Sequence, residues 1–140
     1  MIMNVDDIDI LMRDHGIMPT RQRQSIAAVM LAKPQHLSAD QVLDAVRRQG
    51  GRVSKATIYN TLGLFARKGL VREVIVDATR VFYDSTIHPH HHVYNVDTGA
   101  LQDLDCDCVG VDNLPPMPNG TVIDGIDVVI KVRSAGDPTQ

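Results

Sequence analysis

His88-Pro89-His90-His91-His92 gathers four of the chain's six histidines inside the sequence. In an extended segment alternate side chains share a face, so His90 and His92 present two imidazole nitrogens to one divalent ion while His91 points the other way. Asp84 ends the β-type run before them. If Thr98-Gly99 forms a two-residue turn, Asp103 faces Tyr94 across a hairpin, on the side of His92. Imidazole and carboxylate donors suit Fe(II), Mn(II) or Zn(II) better than a thiol-seeking ion. The plainer alternative is a solvated histidine loop with adventitious affinity for nickel or zinc. Cys106-Asp107-Cys108 places two thiols on one side of a strand, where a soft metal or an oxidant could meet them, although reduced cysteines without a special role are commoner. No Ser/His/Asp constellation points to a hydrolase.

A second group of residues suits a polyanion. Lys55, Thr57, Tyr59 and Asn60 offer an ammonium, a methyl, an aromatic edge and an amide able to pair with adenine, while Arg23, Arg52, Arg67 and Arg72 can take phosphates. The charge distribution agrees. Residues 1–80 carry 12 Lys and Arg against 8 Asp and Glu, or +4, and residues 81–140 carry 2 against 9, or −7. A basic half favours nucleic acid and an acidic half favours cations.

Positioning these groups requires elements, and the pattern supplies them. Asn4 caps a short helix with Val5, Ile8, Leu11 and Met12 on one stripe, and Thr20 caps a second with Ile26, Val29 and Met30 inward. Ser38 and Gln41 have capping-box spacing, with Leu37 as the staple, ahead of a third helix burying Val42, Leu43 and Val46. Ser54 caps a fourth, from Lys55 to Lys68, whose apolar stripe is Ile58, Leu62 and Phe65 and whose outer face carries Tyr59, Asn60, Gly63 and Arg67. Leu70–Val76 and Arg80–Asp84 read as a hairpin, which after such helices makes a winged helix. A further hairpin spans His92–Leu104, Asn113–Gly120 is a loop, Val122–Arg133 carries two more β runs, and Ser134–Gln140 reads as frayed.

The 140 residues, 44% hydrophobic and 22% charged, fit one or two small domains. No apolar run reaches the roughly 18 residues of a membrane span, and the acidic start lacks the basic flank of a signal peptide, so a cytosolic chain without a membrane partner is expected. Two cysteines build neither a disulfide framework nor, within one chain, a four-cysteine zinc site.

The stretches Gly16-Ile17-Met18-Pro19-Thr20-Arg21-Gln22-Arg23, His36-Leu37-Ser38-Ala39-Asp40, Ser54 to Leu62 and Gly69-Leu70-Val71 resemble, in order and spacing, the DNA-binding signatures of the ferric uptake regulator superfamily. The resemblance implies an α+β chain with a winged-helix DNA-binding domain over residues 1–84 and a small α/β dimerisation and metal-sensing domain over 85–140. It also implies a homodimer that binds an A/T-rich inverted repeat of double-stranded DNA when an interdomain metal site is filled. The matching ligand positions are His36, Asp84, His90, His92 and Asp103, a set that looks like the peroxide-sensing branch. Asp84-Ser85-Thr86, the triple histidine, Leu114-Pro115-Pro116 and Asp127–Arg133 look more like the iron response regulator branch, where a triple histidine is implicated in haem binding and draws attention to His91. Asn95 and Thr98 stand where most relatives carry a first cysteine pair, so no structural four-cysteine zinc site is expected. Met18 replaces a basic residue that relatives aim at the minor groove.

The expected function is a metal-responsive transcriptional regulator, a repressor in the usual pattern, with Fe(II), Mn(II) or Zn(II) as effector and haem as a further candidate. The DNA contacts are expected from Arg23, Lys55, Thr57, Tyr59, Asn60 and Arg67. Two other readings stay open: a small cupin-like metalloenzyme, and a haem-binding sensor without a DNA role.

Overall fold

The computed structural model describes residues 4–86 and 90–136. The chain divides into two compact units, Met1–Ile87 and His88–Gln140.

The first unit runs α1 (Val5–Asp14), α2 (Arg21–Met30), β1 (His36–Ser38), α3 (Ala39–Arg48), α4 (Lys55–Arg67), β2 (Arg72–Asp77) and β3 (Arg80–Asp84). Each helix begins at a side chain that accepts an otherwise orphaned N–H: Asn4 from Asp7, Thr20 from Arg23, Ser38 from Gln41 and Ser54 from Thr57. At Ser38 the capping box is complete, because the Gln41 side chain accepts from the Ser38 N–H in return. Caps of this kind contribute about 1 kcal/mol each. Ile8, Met12, Ile26, Met30, Val42, Val46, Ile58, Leu62 and Phe65 then meet in one buried cluster. Val5, expected on the inner stripe, is 59% exposed; at the first helical residue it projects past the end of the core.

Helix α4 closes on Gly69, whose φ of +78° an L side chain rarely adopts. The Leu70 N–H reaches back to the Phe65 carbonyl at 2.9 Å, which turns Leu70 and Val71 into the core. The strand expected from Leu70 therefore starts only at Arg72. Strands β1, β3 and β2 form an antiparallel sheet in that spatial order, and β1 is an element that the apolar pattern does not reveal. The β2–β3 turn is tied by Asp77, whose Oδ1 accepts from the Thr79 N–H and hydroxyl, each at 2.8 Å. Helices capped by this hairpin make the expected winged helix.

The second unit holds β4 (His90–Asn95), β5 (Leu101–Asp105), a 3-10 turn at Cys106–Cys108 and β6 (Val129–Val132). Its sheet order is β5-β4-β6, with β4 antiparallel to β5 and parallel to β6. Two expectations change here. Only one of the two β runs in Val122–Arg133 forms a strand; Val122 is 90% exposed, with no ladder to enter. Cys106 and Cys108 sit in the 3-10 turn, so they do not share a strand face. The readings placed on His88 and Pro89, and on 137–140 of the frayed end, lie outside the described residues.

Candidate functional site

On β4, His90 and His92 alternate with His91, and the first two share a face. Their rings lie edge to face with centroids 4.6 Å apart. Both Nε2 atoms aim at one oxygen: Asp103 Oδ1 is 3.5 Å from His90 Nε2 and 3.4 Å from His92 Nε2. The ligand atoms of these three residues all lie within 4.8 Å of one another, a spacing one divalent ion can bridge at ordinary bond lengths of about 2.0–2.2 Å. His90 and His92 are buried, whereas the Asp103 side chain is half exposed. The site therefore has dry walls and a carboxylate at its mouth.

The hairpin register that builds this cluster departs from expectation. Asp103 pairs with His92, and Tyr94 pairs with Leu101, so Asp103 stands two positions from its expected partner while keeping the same face. The reason lies in the loop. Asn95 Oδ1 accepts from the N–H groups of Asp97 and Thr98, and the Asn95 N–H pairs with the Ala100 carbonyl at 2.9 Å. Gly99, at φ +76°, supplies the left-handed position that closes it. A longer loop replaces the two-residue turn.

His91 occupies the opposite face and is buried. Its Nδ1 accepts the Val128 N–H at 3.1 Å, so this imidazole anchors the approach to β6.

In the first unit, β3 places Asp84 between two neighbours. His36 on β1 and Arg72 on β2 are both its register partners. Asp84 is fully buried, and its Oδ1 accepts the Thr86 N–H at 2.8 Å. The His36 ring meets Phe82 edge to face at 6.3 Å between centroids. Arg72 is the residue of this neighbourhood that sequence reasoning misses as a site element; the signal is strand register, which spacing along the chain does not carry.

The outer face of α4 is open. Tyr59, Asn60, Arg67 and Lys55 are exposed. The Lys55 ammonium lies 3.5 Å from Asp40 and 5.9 Å from the Tyr59 ring centroid, which steers a flexible cation along the helix. Two expected contacts carry other duties. Ser54 Oγ and Thr57 Oγ1 are 2.9 Å apart within the cap, and Arg23 donates to the Met18 carbonyl at 2.8 Å. On the inner side of the same unit, burial first, then the Glu73 carboxylate and Tyr59, push the Tyr83 phenol above its ordinary value. Among the described residues no helix is long and apolar enough to cross a membrane.

A family model, that of the ferric uptake regulator family, matches residues 14–112. The chain belongs to the ferric uptake regulator family. It is similar to a peroxide-responsive repressor, PerR, of Staphylococcus saprophyticus, with 31% identity over 71% of this chain and 68% of that one. Against the PerR of Staphylococcus aureus the identity is 32% over 66% of this chain and 63% of the relative, so the match spans less than two thirds of that protein. Among solved structures, the ferric uptake regulator of Pseudomonas aeruginosa with manganese aligns at a TM-score of 0.68 and 23% identity, covering 91% of this chain and 98% of that one. The Vibrio cholerae ferric uptake regulator aligns at 0.70 and 20% identity, covering 90% and 98%. At these identities the two structures establish the family's fold for this chain.

Proposed function

We propose that this family member is a cytoplasmic, metal-responsive transcriptional regulator that represses iron- or peroxide-response genes as a homodimer on an A/T-rich inverted repeat. The observation that carries the reading is the convergence of His90, His92 and Asp103 on one point in a chain of this family. Family membership and the repressor names of the relatives favour it over a cupin-like enzyme, and a three-stranded β5-β4-β6 sheet is far from a closed barrel. The role of His91 in holding Val128 favours a structural duty over haem ligation.

The donor set fits a borderline divalent ion, Fe(II), Mn(II) or Zn(II). His90, His92 and Asp103 would hold it, with His36 and Asp84 completing the five-ligand set that the family pattern implies. An ion there would supply a fixed positive centre. As ligands, His36 and Asp84 would commit β1 and β3, the strands that carry them, to one arrangement. Residues 1–84 then act as the DNA reader and 85–140 as the sensing and dimerising part. In the reader, Asn60 and Tyr59 face base edges from the major groove, while Lys55 and Arg67 face phosphates. Two such helices in a dimer match successive major grooves about 34 Å apart.

The test is fluorescence anisotropy of an A/T-rich inverted-repeat duplex with metal-stripped protein at one fixed salt concentration, titrated with Mn(II), beside a scrambled duplex. Metal is expected to change affinity for the repeat by about 5- to 150-fold and to leave the scrambled duplex weak. His36→Ala is expected to lose that response. A full Mn(II) response in His36→Ala would remove His36 from the ligand set.

A further inference from the structure

We propose that Arg72 is the internal counter-ion of Asp84 in the metal-free protein and that it sets the metal concentration at which the regulator responds. The inference deepens the metal-site reading and rests on Asp84 being a ligand.

Strand register makes the pair. In the sheet β1-β3-β2, His36, Asp84 and Arg72 occupy one row, each opposite the next. Residues directly opposite in an antiparallel pair project on the same face, with Cβ atoms about 4.5–5.5 Å apart. Alternation along β2 gives the same result: Arg72 shares its face with Val74 and Val76, which are buried without joining the helical core cluster. Asp84 is fully buried and Arg72 half-buried. A buried carboxylate calls for charge compensation beside the N–H bond that it accepts from Thr86, and a guanidinium is the side chain best shaped to provide it.

A divalent ion on Asp84 removes the need for that compensation. Arg72 then becomes a like charge a few ångströms from the ion, and their repulsion opposes binding. The guanidinium keeps the metal-free site in order and weakens the metal-bound one, so the chain carries its own threshold. The strand that begins at Arg72 follows α4 after four residues, 68–71.

The experiment uses the full chain. Arg72→Gln and Arg72→Met remove the charge, and Arg72→Lys keeps it. Mn(II) affinity is read from the electron paramagnetic resonance of free Mn(II), and melting temperature is followed by circular dichroism with and without saturating Mn(II). Both uncharged variants are expected to bind Mn(II) about tenfold more tightly than wild type and to melt lower when metal-free, with the loss shrinking under Mn(II). Arg72→Lys is expected to match wild type. The tightening and the selective loss of metal-free stability belong to one thermodynamic cycle and must agree in size. Unchanged or weaker Mn(II) binding by the folded uncharged variants overturns the proposal, as does a variant that stays unfolded at saturating Mn(II); folding restored by Mn(II) supports it. Asp84→Asn separates the two levels. Wild-type Mn(II) affinity in Asp84→Asn removes the ligand reading itself, whereas weakened binding there, with Arg72→Gln unchanged, removes only the counter-ion.

Discussion

The two units place their apolar residues in opposite ways. Met1–Ile87 turns a stripe from each of four helices into a single cluster, with Met12, Ile26, Met30, Ile58, Leu62 and Phe65 fully out of solvent. In His88–Gln140 the buried apolar residues among those described are Tyr94 and Leu101, and they share the interior with three histidines. Val93, Leu104, Val128 and Val129 are half-buried, and Leu114, Val122, Ile123 and Ile130 are among the large apolar side chains left exposed. The first unit is stabilised by packing. The second has the smaller apolar core among the described residues, and small cores of this kind leave room for a metal or a second subunit to add stability. On the proposed function, a well-packed reader beside a sparsely packed sensor makes a sensible division of labour for a switch.

That contrast can be broken most forcefully in the reader. Phe65→Ala is expected to cost about 3–5 kcal/mol, seen as an early loss of helical circular dichroism; a wild-type melting temperature would contradict the packing account. Next in size comes the sensor. Mn(II) at a hundred times its dissociation constant is expected to stabilise the wild-type protein by about 2.7 kcal/mol, and His92→Ala to abolish that increment. Hydrogen exchange sharpens the point: Mn(II) should slow the amides of Tyr94 and Leu101 far more than those of Ile58 and Leu62. Equal protection in both places would erase the distinction.

Smaller effects belong to the reader's surface. Asn60→Ala is expected to cost about 1–3 kcal/mol of affinity for the inverted repeat with the melting temperature unchanged, since the side chain is exposed. Smallest is Tyr83→Phe. Because folding raises the Tyr83 pKa above its unfolded value, the stability linked to its proton is intact below about pH 10 and is lost as pH rises past that value. Wild type should lose stability in alkali more steeply than Tyr83→Phe; parallel melting curves against pH would show the phenol to be uninvolved.

Much of the reader is legible in the amino-acid sequence by itself. Caps at Asn4, Thr20, Ser38 and Ser54 and stripes such as Ile58, Leu62 and Phe65 are local signals, and local signals survive folding. Strand pairing is not local, and there the pattern misleads. It sets Asp103 on the right face but opposite the wrong residue, because Asn95 folds its side chain over the loop and lengthens the turn. The three-residue β1 is too short to carry a period, and β6 depends on an edge of β4 that only the fold supplies. Arg72 reads as one more phosphate contact until the sheet sets it beside Asp84.

The turn after α4 has a mechanical meaning. Gly69 reverses the chain, and the next two residues, Leu70 and Val71, are locked into the core before β2 begins. This leaves little slack between α4 and the sheet that carries His36, Arg72 and Asp84. The helix cannot swivel while its own scaffold stays still. Any displacement of that sheet is delivered to the outer face of α4 as the stroke of a rigid lever.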